Sequence, residues 1–190
     1  MYKHFLISLI VILSLVVACD NDSRSRKHGN NLPNQTEQVE NKRQKKESLQ
    51  FKKGEEYTVK VVGVFDGDTF AGLTTDNKQV KCRIYGIDAP EKKQAFGNRS
   101  KQVLSDLIFD KNVYIIIQDK DRYQRAIVRV YTSDGKDISA EMLKIGMAWH
   151  YKQYSKDNEY AELEKAARQH KIGLWVDKKR VAPWEYRKKK

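Results

Sequence analysis

Three β-rich runs, YTVKVVGVF (57–65), TFAGLTT (69–75) and QVKCRIYGI (79–87), follow one another with only short polar breaks between them. No other feature of the chain restricts its fold as strongly. The runs are dominated by β-branched and aromatic side chains, which suit a pleated, half-buried surface. The breaks, Asp66-Gly67-Asp68 and Asp76-Asn77, consist of residues that accept the backbone angles of tight hairpin turns. Successive strands joined this way form an antiparallel meander.

The hydrophobic period then changes. In QAFGNRSKQVLSDLIF (94–109), Phe96, Val103, Leu104, Leu107 and Ile108 fall on one helical face. Strands return with NVYIIIQ (112–118) and RAIVRVYT (125–132), parted by the polar loop DKDRYQ. ISAEMLKIGMAW (138–149) and NEYAELEKAARQHKIG (158–173) read as two more helices. The second carries Tyr160, Leu163 and Ala167 on one face and Gly173 as its C-cap. Five strands, a helix after the third and two helices after the fifth predict an α+β domain. Its form is a five-stranded oligonucleotide/oligosaccharide-binding (OB-fold) β-barrel with three packed α-helices.

The N-terminal segment belongs to another class. After Lys3 and His4 comes FLISLIVILSLVV, residues 5–17. It is shorter than the roughly 20 residues that span a bilayer as a helix. A basic start, a short apolar core and a small residue before the cut describe a secretory signal. Val16-Val17-Ala18-Cys19 is similar to a bacterial lipobox. Residues 1–18 are therefore expected to be a lipoprotein signal peptide and Cys19 the lipidated mature N-terminus. An ordinary signal peptide and a secreted domain are the alternative.

Residues 19–53 are polar and nearly free of aromatics. Such a segment cannot bury enough apolar surface to offset its ordering entropy, so a disordered tether is expected there. The folded domain is expected over 54–187, with a basic tail at 188–190. Together these readings predict a monomer anchored to a membrane of the bacterial cell envelope, facing the periplasm or the exterior. With Cys19 acylated, Cys82 has no disulfide partner and reads as a small core residue.

The net charge of +12 suggests a polyanionic partner, but residues 20–53 and the tail RKKK each hold +4 of it, and residues 54–186 only +3. Bulk charge therefore does not identify the partner. The histidines are scattered at 4, 28, 150 and 170, without zinc-ligand spacing or an implied Ser-His pair. Chemistry in this chain has to rest on carboxylates and arginines.

Such residues gather in DGDTF (66–70), RIYGIDAPE (83–91) and DRYQR (121–125), followed by GMAW (146–149), GLW (173–175) and PWEYR (183–187). Singly, each reads as a turn, a solvated strand residue or a hairpin connection. As an ordered set over about 57–187 the chain resembles the staphylococcal nuclease-like (thermonuclease) family. That resemblance implies a calcium ion held by Asp68, Asp88 and the backbone carbonyl of Ala89, with Asp66 supporting water on the metal. Oxygen-only ligation suits a hard cation.

The resemblance further implies that Glu91 is the general base, and that Arg83 and Arg125 grip the scissile phosphate. Planar guanidinium groups bind phosphate oxygens in pairs. Tyr123 is placed in the nucleotide pocket or in core packing, and Tyr151 or Tyr154 is placed to stack on a base. Two positions depart from the founding member, Ala89 for threonine and Gln124 for glycine. Only a main-chain oxygen is needed at Ala89, whereas Gln124 bears on how Arg125 approaches phosphate. The implied activity is calcium-dependent hydrolysis of DNA and RNA phosphodiesters with 3′-phosphate products. A non-catalytic nucleic-acid-binding barrel and a lipoprotein using calcium only for structure are the competing readings.

Overall fold

The computed structural model describes residues 51–189. The expected signal peptide, the lipidated Cys19, the tether up to residue 50 and Lys190 lie outside the described residues. Of the remaining tether positions, Phe51 is half-buried and Lys52 and Lys53 are exposed. Phe51 sits edge-on to Tyr57 at 5.8 Å, and just beyond them Gly54 N donates to Ile117 O at 2.8 Å.

Five strands close a barrel: β1 (Glu56–Val64), β2 (Thr69–Thr74), β3 (Gln79–Ile84), β5 (Asn112–Lys120) and β6 (Ala126–Thr132). Their order is β1-β2-β3-β6-β5, with β1 pairing β5 to complete the ring. All pairs are antiparallel except β3 with β6. The expected five-stranded barrel and its meander are thus present. Its interior is filled by alternating side chains such as Val59, Val61, Phe70, Cys82, Ile115, Ile117, Val128 and Val130, all essentially inaccessible. Each such aliphatic or aromatic side chain contributes roughly 1.5–3 kcal/mol when fully buried.

The run expected as one third strand is divided. β3 ends at Ile84, the chain turns at Tyr85-Gly86, and Ile87–Asp88 form β4 in a separate two-stranded sheet with β7 (Trp149–His150). Ile87 and Asp88 thereby leave the barrel wall, and Asp88 pairs in register with Trp149.

Helix α1 (Gly97–Ile108) buries Leu104 and Ile108 against the barrel. Helix α2 (Ile138–Lys144) stops well before the expected Trp149. Its start is capped by Asp137, whose carboxylate accepts from Ser139 N and Ala140 N. Beyond it Gly146 takes φ 67°, and the chain proceeds to β7. Helix α3 (Asn158–Gln169) is capped in the same way by Asp157 and packs Tyr160 and Ala167 inward.

The expected C-cap at Gly173 is not its role. Lys171, with φ 53°, is the left-handed residue that ends α3, and Gly173 opens a short 3-10 helix, Gly173–Val176. Gly173 is glycine because its Cβ would lie 2.3 Å from Gly146 O. A fourth helix not foreseen in the sequence, α4 (Pro183–Lys188), begins with proline at its first turn, where a missing N–H costs nothing.

Candidate active site

Three loops and one helix end meet at one end of the barrel. The β1–β2 connection supplies Asp66 and Asp68. Asp66 Oδ1 accepts the Asp68 N–H at 3.1 Å, and Asp68 O accepts from Ile84 N at 2.8 Å. This local turn fixes the Asp68 side chain, 8% exposed, toward the β4 segment. There its Oδ2 accepts the Ala89 N–H at 2.7 Å, while Thr69 Oγ1 donates to its Oδ1 at 3.1 Å.

Arg83 on β3 joins the two aspartates. Its Nη1 lies 3.0 Å from Asp68 Oδ2, and its Nη2 2.9 Å from Asp88 Oδ1. Nη1 also donates to the carbonyls of Ile84 and Ile87 at 3.2 and 3.0 Å. The guanidinium is therefore fixed by the backbone as well as by charge. Burial pushes the Asp68 carboxyl above the ordinary carboxylate value, and the Arg83 charge opposes that rise.

Glu91 follows in the turn after Pro90. Its N–H donates to Gln94 Oε1 at 3.1 Å, and its carbonyl accepts from Gln94 N at 2.8 Å. Gln94 Nε2 in turn donates to Val181 O, just ahead of α4. The same helix delivers a residue to which the sequence assigned no role. Arg187 places Nη2 at 2.7 Å from Asp88 Oδ2 and Nη1 at 3.1 Å from Asp88 Oδ1. Nη1 also reaches Glu91 Oε1 at 3.0 Å.

Aromatic packing explains why Arg187 arrives there. Trp184, one turn earlier on α4, stacks on Tyr151 at 5.4 Å and 4°, and meets Trp149 edge-on at 5.6 Å. Trp149 is the register partner of Asp88, so residues three apart on α4 seat one on the aromatics and the other on the carboxylate. The legible signal was the motif PWEYR itself, which carries both Trp184 and Arg187.

The remaining predicted residues divide. Arg125 donates from Nε to Asp121 Oδ2 at 2.7 Å and from Nη1 to Thr69 Oγ1 at 3.4 Å, linking it through Thr69 to Asp68. Burial by itself raises the Asp121 carboxyl, but the Arg125 N–H and guanidinium and the Tyr123 N–H hold it below its ordinary value. Gln124 adopts φ 64°, the left-handed region, between them. Tyr123 is 64% exposed, with the guanidinium groups of Arg122 and Arg125 at 4.9 and 5.6 Å from its ring. It therefore takes no part in core packing. Tyr151 is packed between Trp184 and Tyr154, and Tyr154 is 60% exposed.

Among the described residues no three His, Cys, Asp or Glu side chains form a ready metal cage. The donor set nonetheless fits a hard cation whose shell water completes. It consists of oxygen atoms only, and the carboxylates of Asp66, Asp68, Asp88 and Glu91 outnumber the two guanidinium groups, Arg83 and Arg187, that pair with the last three of them. With its carboxylates ionised the cluster is net negative, which favours a divalent cation.

The model of the staphylococcal nuclease homologue family matches residues 81–177. An uncharacterized endonuclease of Haemophilus influenzae is 48% identical over 134 residues, 70% of this chain and 75% of its own length. A micrococcal nuclease of Shigella flexneri is 38% identical over 138 residues, 67% of this chain and 79% of its own. A staphylococcal-like nuclease of Arabidopsis thaliana matches 113 residues at 38% identity, 60% of this chain and 35% of its own. With closed barrel, paired aspartates, bridging arginine and these relatives in agreement, the chain belongs to the staphylococcal nuclease family, a family of phosphodiester hydrolases.

Proposed function

We propose that the protein is a calcium-dependent nuclease that hydrolyses DNA and RNA with little sequence specificity and leaves 3′-phosphates. The observation that carries this reading is the bridge of Arg83 between Asp68 and Asp88 at 3.0 and 2.9 Å, with Glu91 held over the same carboxylate through Arg187. A purely structural calcium site would have no use for guanidinium groups, and a binding barrel no use for this many clustered carboxylates.

Asp68, Asp88 and the Ala89 carbonyl would hold the cation, with Asp66 behind Asp68. Bound there, the cation supplies positive charge that lowers the cost of bringing an anionic phosphodiester to a carboxylate cluster. Arg83, already fixed by the Ile84 and Ile87 carbonyls, offers its guanidinium edge to a phosphate oxygen and stabilises charge developing there. Arg125 is a second phosphate ligand, set against Asp68 through Thr69. Glu91 accepts a proton from the attacking water as a new P–O bond forms. The bond from phosphorus to the 5′ oxygen breaks, that oxygen takes a proton from solvent water to leave as a hydroxyl, and the phosphate stays on the 3′ side. Tyr154, exposed and backed by the packed Tyr151, gives an aromatic surface on which bases of any identity stack, consistent with low sequence specificity.

We further propose that the domain is a monomer held in the cell envelope through acylated Cys19, with secretion as the alternative. The nuclease reading is tested with the purified full chain on single-stranded DNA, with calcium and with excess chelator, beside Glu91→Ala and Arg83→Ala. Metal-dependent cleavage that collapses in both variants is the expected result. Tight binding without cleavage, indifferent to calcium, would overturn it.

A further inference from the structure

Asp88 is the most enclosed carboxylate of the site, its side chain 1% exposed, yet arginine occupies both its oxygens. The two arginines are not equivalent. Arg83 comes from a barrel strand, is 13% exposed, and is tied to two backbone carbonyls as well as to Asp68. Arg187 lies in the last turn of a six-residue surface helix, with its side chain 39% exposed. Its fork covers Asp88 Oδ1 and Oδ2 and reaches Glu91 Oε1. It therefore sits on the oxygen atoms that a cation at Asp88 requires.

We propose that Arg187 is an exchangeable counterion. In the metal-free protein it closes Asp88 against Glu91. It gives up both carboxylates when a divalent cation occupies Asp88, and then turns its fork to the phosphate of bound nucleic acid at the rim. The last of these steps rests on the nuclease reading, whereas the exchange does not. Like charges a few ångströms apart disfavour simultaneous occupancy, so cation and guanidinium weaken one another equally. The release has a further effect. Glu91, carboxylate partner of Arg187 in the closed form, is left to face water only once the cation is in place. A charged fork suits both positions, because carboxylate and phosphate present paired oxygens of similar spacing.

The test uses the full chain and variants Arg187→Gln and Arg187→Lys. Cation binding is titrated without nucleic acid, by terbium luminescence with calcium in competition. Single-stranded DNA affinity is measured separately in saturating calcium. Arg187→Gln should bind the cation on the order of tenfold more tightly and DNA on the order of tenfold more weakly. Arg187→Lys should show a smaller rise for the cation and a similar loss for DNA. A residue needed only for folding would weaken both.

In the wild type, the Arg187 Nε–Hε resonance should shift and exchange faster with water on adding calcium, which needs no variant to fold. The proposal is overturned if cation affinity is unchanged or falls in Arg187→Gln, or if no cation binds either protein. It is overturned equally if the resonance does not move in calcium-saturated wild type. A calcium-saturated wild type that cuts neither DNA nor RNA would sink the nuclease reading, while the titration still decides the exchange.

Discussion

Replacing Gly97 by alanine should damage the active site more than the fold. Gly97 is the first residue of α1, where alanine would ordinarily favour the helix by roughly 0.5–1 kcal/mol. Here the new Cβ would lie 2.0 Å from the carbonyl oxygen of Glu91 and 2.8 Å from its carbonyl carbon. Recovering an ordinary contact of 3.4 Å requires a displacement of about 1.4 Å. The helix resists, because Leu104 and Ile108 are fully buried in the core two and three turns on. The turn carrying Glu91 must give way, and with it the bond from Gln94 N to the displaced carbonyl, now 2.8 Å. A misplacement near 1 Å costs on the order of 10²-fold in kcat/KM, and overpacking costs roughly 1–3 kcal/mol of stability.

Initial rates on single-stranded DNA in calcium and thermal melting of the same samples would separate the two effects. Gly63→Ala serves as the control, since nothing lies within 4 Å of its Cβ. Activity of Gly97→Ala within about threefold of wild type, with Glu91→Ala inactive, would refute the idea that this contact positions Glu91.

Gln124→Gly should stabilise the protein. A non-glycine residue in the left-handed region, here φ 64°, costs roughly 1–2 kcal/mol, against roughly 0.5–1 for the freedom of glycine in the unfolded chain. A rise in Tm of a few degrees is expected, and a fall would show that the Gln124 side chain contributes more than its backbone costs.

Burial pushes the Cys82 thiol strongly up. It should ignore thiol reagents in the native protein and react only after denaturation; native-state labelling of Cys82 by mass spectrometry would contradict its placement. In the metal-free protein Asp68 keeps a proton that the unfolded chain loses above the ordinary value of 3.8. Folding stability should therefore decline as pH rises from there toward neutrality, and Asp68→Asn should remove much of that slope. Urea titrations at several pH values, in chelator, would check the sign.

The barrel was legible because its cause is local. Alternating β-branched runs, turn residues at fixed places and a switch to helical period each act over a few residues. Together they left few ways to bury the apolar faces. That Asp68, Arg83, Asp88 and Glu91 come together was legible because their short motifs place them at or just beyond strand ends. Boundaries were less so. The third run looked continuous, yet a glycine turn moves Asp88 off the barrel wall to pair with Trp149, some 60 residues later in the chain. Helix α2 looked longer, because Met147, Ala148 and Trp149 are apolar for a different reason, contact with the core and with the aromatics around Trp175.

Arg187 marks the limit. In the sequence it closes the motif PWEYR and heads the run RKKK, and neither setting names a carboxylate partner for it. Its role depends on Trp184 finding Tyr151 and Trp149, and on Trp149 standing beside Asp88. Those are long-range contacts whose partners no local pattern names. The sequence by itself determined which elements form and which residue types carry the chemistry, since propensity, period and turn geometry are short-range. Only the tertiary structure decided which cation faces which carboxylate, because charge pairing depends on distances that arise when remote segments pack.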